Sequence, residues 1–120
     1  MQEIGVEASL AADILAGRKT IEGRLGKSKY LKLHVGDKLT IREDTYEDSE
    51  IKTSTPDKVR VVITQLLYFE TFEEMLNSLD FRQAIPNAFS VRDALQTYHQ
   101  YYSTADEAEY GVVAITFKLA

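Results

Sequence analysis

The stretch Gly17-Arg18-Lys19-Thr20-Ile21-Glu22-Gly23-Arg24 concentrates one carboxylate and strongly basic groups within a few residues of each other. If residues 20–25 form a strand, side chains alternate. Thr20, Glu22 and Arg24 then point one way, and Ile21, Gly23 and Leu25 the other. Lys19 stands just ahead of it, at a helix-to-strand turn. A carboxylate beside a guanidinium is held ionised and oriented. A lysine with cationic neighbours and some burial loses basicity, which makes it a better base or proton donor. Such a trio suits gripping a phosphate or the polar edge of a base, or general acid–base chemistry on either. The plainer alternative is a structural ion pair with Lys19 as a solvated surface residue, since exposed pairs are common and worth only about 0–1 kcal/mol.

Other residues could join such a site. Tyr98, Tyr101 and Tyr102 cluster late in the chain, and aromatic faces stack on bases at roughly 1–3 kcal/mol each. Helical spacing assigns Tyr98 and Tyr102 to core packing and leaves Tyr101 freer to reach a ligand. Tyr30, set among Lys27, Lys29 and Lys32, suits single-stranded RNA, or else it is an exposed turn. Ser103 precedes Asp106 at the spacing of a helix cap; the alternative is a hydroxyl projecting into the cleft. His99, a turn before Ser103, is the one histidine near enough to serve as a base, against the simpler reading of a solvated or packed helix residue. Cysteine is absent and the two histidines, His34 and His99, are far apart. No disulfide, thiol nucleophile, metal site or cofactor is therefore expected.

These residues need a scaffold. The 120 residues, 44% hydrophobic, are enough for one domain spanning 1–120 with a real core. No apolar run is long enough to cross a membrane, and the first residues lack the basic-then-apolar pattern of a secretory signal. With no cysteine, this fits a reducing, cytoplasmic setting. The net charge of −5 argues against a broad grip on phosphate backbone. Yet residues 18–32 hold six basic side chains against Glu22 alone, so a local basic mouth on an acidic body remains available.

Ser9 as a cap, with Leu10, Ala11 and Ile14 on one face, predicts a helix over 9–17 that ends on a left-handed Gly17. Val35-Gly36-Asp37 reads as a turn, and Leu39 and Ile41 alternate with polar neighbours in a strand. Segment 43–58, the most polar, reads as a mobile loop. A long strand over 59–69 places Val59, Val61, Ile63 and Leu67 on one face. Thr71 and Glu74 then cap a helix carrying Phe72, Met75, Leu76 and Leu79. A short helix over 80–85 is stopped by Pro86. Ser90 caps another helix, and residues 113–119 form a closing strand. Strands without regular βαβ alternation, and helices grouped in 70–109, predict an α+β mixed barrel with appended helices.

The eight-residue stretch matches G-x-K-x-x-E-x-R through Gly17, Lys19, Glu22 and Arg24, and so resembles the signature of the ASCH family. Ile14-Leu15-Ala16-Gly17, Val35-Gly36-Asp37, Phe72-Glu73-Glu74-Met75-Leu76 and Tyr110-Gly111-Val112-Val113-Ala114-Ile115 look like the same family. The resemblance implies a PUA-like barrel whose cleft is lined by the motif residues and binds RNA or a nucleotide. Some relatives resemble ribonucleases. A branch resembling bacterial N4-acetylcytidine amidohydrolases keeps the lysine but has a threonine nucleophile where this chain has Glu22, and a glutamate cannot replace that hydroxyl unaided. Three functions are thus carried forward. One is an RNA- or nucleotide-binding module using Lys19, Glu22, Arg24, Tyr30, Tyr101 and Ser103. Another is a hydrolase acting through Lys19 and Glu22, and the last is a protein-interaction module braced by the motif.

Overall fold

The computed structural model describes residues 1–120. Along the chain run β1 (Gln2–Glu7), α1 (Ala8–Leu15), β2 (Ile21–Leu25), α2 (Ser28–Leu31), β3 (Lys38–Glu47) and β4 (Glu50–Phe69). After them come α3 (Phe72–Ser78), α4 (Phe81–Ala84), α5 (Val91–His99), α6 (Thr104–Tyr110) and β5 (Val112–Leu119). The α+β class holds. The strands form one mixed sheet in the order β1-β3-β4-β5-β2. β1 runs parallel to β3, and the other neighbours are antiparallel.

That order corrects the expectation of a closed barrel, because β1 and β2 end the sheet and do not pair with each other. A side chain crosses the seam instead: the Arg24 guanidinium donates to the Gly5 carbonyl at 2.7 Å.

The sheet buries both faces. On one, Ile4, Val6, Leu39, Ile41, Val59, Val61, Ile63, Val113, Ile115 and Phe117 pack with Ala11 and Ile14 of α1. On the other, Ile21, Leu25, Val112 and Ala114 pack against Phe72, Met75 and Leu76 of α3 and Ala94 and Tyr98 of α5. A bulge in β4 between Ile63 and Gln65 adds one residue and reverses the alternation. Leu67, expected on the face of Val59, Val61 and Ile63, therefore packs in the second core.

Segment 43–58 is strand rather than loop over most of its length. β3 and β4 form a long hairpin whose turn, Asp48-Ser49, has φ of 53° and 65°. Two consecutive left-handed residues suit a tight hairpin turn. The arms lie beyond either core and are mostly exposed, so they lack the alternation that marks a half-buried strand. α1 begins at Ala8, with Glu7 rather than Ser9 at its N-cap, and Gly17 takes a φ of 80°. Strand β1 and helix α2 are additions to the predicted elements. No helix is long and apolar enough to cross a membrane.

Candidate functional site

The turn after α1 delivers the motif. The Arg18 and Lys19 amides both donate to the Asp13 carbonyl, at 2.9 and 3.1 Å, folding the chain back over the helix end. The Thr20 amide donates to the Gln83 carbonyl at 3.0 Å, and its own carbonyl accepts from the Phe117 amide at 2.9 Å. These bonds commit the chain to an extended course before β2 begins. β2 then pairs with β5, setting Glu22 opposite Ile115 and Arg24 opposite Val113, so the two charged residues share a face as the alternation predicts.

Lys19 lies deeper than the sequence implies. It is 1% exposed, its ammonium donates to the Ile21 carbonyl at 2.6 Å and the Ala84 carbonyl at 2.5 Å, and Glu22 Oε1 is 3.7 Å away. An ammonium has three protons, and each direction is occupied. Burial lowers the Lys19 pKa, and the Glu22 charge opposes that fall. Lys19 is a fully enclosed neighbour of Glu22, not a side chain at the rim.

Glu22 is the hinge of the constellation. Its Oε2 lies 3.4 Å from Arg24 Nη2, so the carboxylate stands between two cations at distances longer than good charge-assisted hydrogen bonds. Arg24 also donates to Gly5 from Nη2 and to the Tyr30 hydroxyl from Nη1, the latter at 3.3 Å. Burial works against the Arg24 cation, but Glu22, Tyr102 and Tyr30 together outweigh it and the guanidinium is held firmly protonated. Of its five N–H groups, these contacts leave two unassigned.

A cleft of about 120 Å³ opens onto this pair. It lies at the seam between the edge strands, with Gly5, Val6 and Glu7 of β1 on one side and Glu22, Gly23 and Arg24 of β2 on the other. Tyr98, Tyr101 and Tyr102, from α5 and the turn after it, wall it, with Leu10, Tyr46, Ile85 and Thr97 completing the lining. Phe72 stacks on Tyr98 at 4.4 Å and on Tyr102 at 5.2 Å, which fixes two of the three rings. Tyr98 is 5% exposed and its hydroxyl has no hydrogen-bond partner. Burial pushes the Tyr98 phenol up, and does the same to Tyr101 and Tyr102. Gly23 makes this packing possible, because a Cβ there would lie 3.0 Å from both the Tyr98 hydroxyl and Met75 Cε.

The other sequence candidates are distributed differently. Tyr101 is well exposed at the mouth. Tyr30 accepts from Arg24 and does not itself line the cleft. Ser103 caps α6, exchanging hydrogen bonds of 3.1 and 2.9 Å with Asp106, and lies outside the cleft lining. His99 pairs with Glu107 at 3.3 Å, also outside it. Helical spacing assigned Tyr98 only to the core; it reaches both core and cleft because it is at the boundary. No group of three or more His, Cys, Asp and Glu is placed to hold a metal ion. Chemically, the cleft offers a carboxylate acceptor, guanidinium donors and aromatic faces within one pocket.

Comparison with known proteins agrees with this architecture. The crystal structure of hypothetical protein PH0355 superposes with a TM-score of 0.82 at 27% identity, covering 99% of this chain and 98% of that one. The solution NMR structure of protein PF0455 from Pyrococcus furiosus gives a TM-score of 0.74 at 25% identity, covering 98% of this chain and 96% of that one. No curated protein matches the chain. The model of the ASCH domain matches residues 4–120, nearly the whole of a chain built around the Lys19-Glu22-Arg24 motif, and the protein belongs to the ASCH domain family.

Proposed function

We propose that this domain binds RNA or a nucleotide, with a base held in the seam cleft. The observation that carries the reading is the placement of Glu22 and Arg24 side by side in a concavity walled by Tyr98, Tyr101 and Tyr102. A carboxylate accepts from an exocyclic amine or ring N–H, and a guanidinium donates to a carbonyl or phosphate. Tyrosine faces add stacking that any base accepts. Lys19 contributes through Glu22, neutralising and orienting the carboxylate from behind. In this reading the seam of the curled sheet is the ligand entrance of a PUA-like domain working in the cytoplasm.

Fluorescence titration with short single-stranded RNAs and with nucleosides tests it. The wild type should bind at least one, and Arg24→Lys, which loses the planar fork while keeping the charge, should weaken that binding about tenfold or more. Absence of binding to every probe would remove the proposal.

A hydrolytic reading rests on a narrower observation, the lowered Lys19 pKa beside Glu22. Incubation with RNA and with N4-acetylcytidine tests it. Turnover abolished by Glu22→Gln would establish an acid–base role, and turnover that survives it would remove Glu22 from the chemistry.

A further inference from the structure

Two groups of basic residues in this chain contrast. Every one between residues 42 and 60 has a carboxylate partner: Arg42 with Asp44, Lys52 with Glu47, Lys58 with Glu43 and Arg60 with Asp57. Lys27, Lys29, Lys32 and Lys38 are all exposed, and none has a carboxylate within 4.0 Å that pairs with it. Of the six basic residues in 18–32, Arg18, Lys19 and Arg24 pair with Asp13 or Glu22, and Lys27, Lys29 and Lys32 pair with none. An acidic protein thus keeps a short run of uncompensated lysines on and beside α2, continued by Lys38.

The structure connects that set to the cleft by a chain of contacts. Arg24, in the cleft, donates to the Tyr30 hydroxyl at 3.3 Å. The Lys29 ammonium lies 5.3 Å from the Tyr30 ring centroid, and Arg24 itself lies 5.9 Å from it. Gln2 donates to the Lys29 carbonyl at 3.2 Å. Gln2 then lines a second, shallower groove with Lys32 and Lys38, in which Asp37 is the one acid. That groove, about 400 Å³, is wider than the cleft and has only two hydrophobic residues in its lining. Its polarity suits a sugar–phosphate chain rather than a base.

We infer that the ligand is a single-stranded oligonucleotide, with one base in the cleft and its backbone phosphates running over Tyr30 and Lys29 into the Lys32–Lys38 groove. The inference rests on the nucleotide reading of the cleft and adds to it a direction of travel and a minimum size. Free lysines on a strip act as point charges for phosphates and carry salt dependence, not sequence selection. The paired cations of the hairpin are already neutralised locally and contribute little to this field.

The test compares a fluorescein-labelled, mixed-sequence hexaribonucleotide with the four ribonucleoside 5′-monophosphates as competitors. The hexamer should bind the wild type at least about tenfold more tightly than any monophosphate. Lys32→Glu with Lys38→Glu, both surface changes in the distal groove, should weaken the hexamer about tenfold and leave monophosphate binding unchanged. The slope of log affinity against log salt should fall by roughly 0.7 per lysine lost. Lys52→Glu with Lys58→Glu, an equal change in net charge on the hairpin, should alter hexamer binding by no more than about twofold. If monophosphates bind and the hexamer binds no better, or if the two double variants lose equally, the inference is overturned while the cleft reading stands. If neither the hexamer nor any monophosphate binds, both fall together.

Discussion

Two clusters in this molecule set a strand arginine against carboxylate charge, and they are built differently. On the hairpin, Arg42 grips Asp44 with two bonds of 2.7 and 2.9 Å and reaches Glu3 at 2.9 Å. Ser54 adds a bond to Asp44 at 2.8 Å. At the seam, Glu22 stands 3.4 Å from Arg24 and 3.7 Å from Lys19, and the neighbouring Tyr98 hydroxyl has no partner. The first cluster is saturated, short and geometrically ideal, which is what bracing requires. In the second, groups that are buried yet loosely coupled face a concavity. Spare hydrogen-bonding capacity beside a cleft is capacity for a third party. Gly5 links the two: its carbonyl holds Arg24, while a Cβ on it would collide with the Arg42 guanidinium and with Asp44. The hairpin cluster thus packs tightly on the strand that anchors the seam.

The most severe way to break this contrast is at Lys19. Lys19→Met keeps the stem but strands two carbonyls and leaves Glu22 with one cation. Removing one member of a buried charge set costs about 3–5 kcal/mol, so urea unfolding should show a loss of that size. A loss under about 1 kcal/mol would mean that the amine is not the enclosed bracket between β2 and α4.

Glu22→Gln should cost binding as well as stability. The amide keeps the shape but leaves the buried Lys19 ammonium and the Arg24 guanidinium without their counter-charge, so stability should fall by about 3–5 kcal/mol, while affinity for the RNA probe should drop about tenfold through loss of the charged acceptor. A large fall in melting temperature with intact binding would recast Glu22 as a brace and favour the interaction-module reading.

Asp44→Ala comes next. It removes two guanidinium bonds and the Ser54 bond, and should destabilise by about 2–3 kcal/mol with ligand binding within about twofold of wild type. The pH dependence follows from the sign of the shift. Hydrogen bonds from Arg42, reinforced by Ser54, hold the Asp44 carboxyl below its ordinary range. Its contribution is therefore full above an unfolded value of about 3.9 and is lost as pH falls through the lowered folded value. Below about pH 4 the wild type should lose stability more steeply than the variant, measured by thermal melts across pH. A binding defect as large as that of Arg24→Lys would erase the distinction between bracing and seam clusters.

The sequence made part of this legible and hid the rest for identifiable reasons. Glu22 and Arg24 share a face because strand alternation is local, and any reader of β2 recovers it. The depth of Lys19 depends on the Ala84 carbonyl, 65 residues away, and no local pattern reports that. β1 is six residues with only Ile4 and Val6 buried, and its parallel partner β3 lies more than 30 residues on; its alternation is too short to stand out. The hairpin arms read as loop because they are polar on both sides, and the left-handed Asp48-Ser49 turn was their only local mark. Helices α3 and α5 were plain, since Thr71 and Ser90 accept from the amides of Glu74 and Asp93 as capping demands. The cleft was half visible: spacing separated Tyr101 from the core-facing Tyr98 and Tyr102, but a residue at the boundary serves both sides, and only the fold shows which.

The smallest expected change in stability sharpens the comparison most. Tyr98→Phe deletes a buried hydroxyl that has no partner and keeps the stack on Phe72. In a saturated cluster such a deletion would cost 1 kcal/mol or more, as an approximate rule; here the folded protein should be unchanged or gain up to about 1 kcal/mol. Burial raises the Tyr98 pKa, so its contribution is full below an unfolded value of about 10 and is lost as pH climbs toward the raised folded value. The wild type should therefore weaken more steeply than the variant above about pH 10. Affinity for the RNA probe should stay within about twofold of wild type, because this hydroxyl is sealed from solvent and recognition falls to Glu22 and Arg24. A severalfold loss of affinity would mean that ligand entry opens the Tyr98 packing and exposes the phenol.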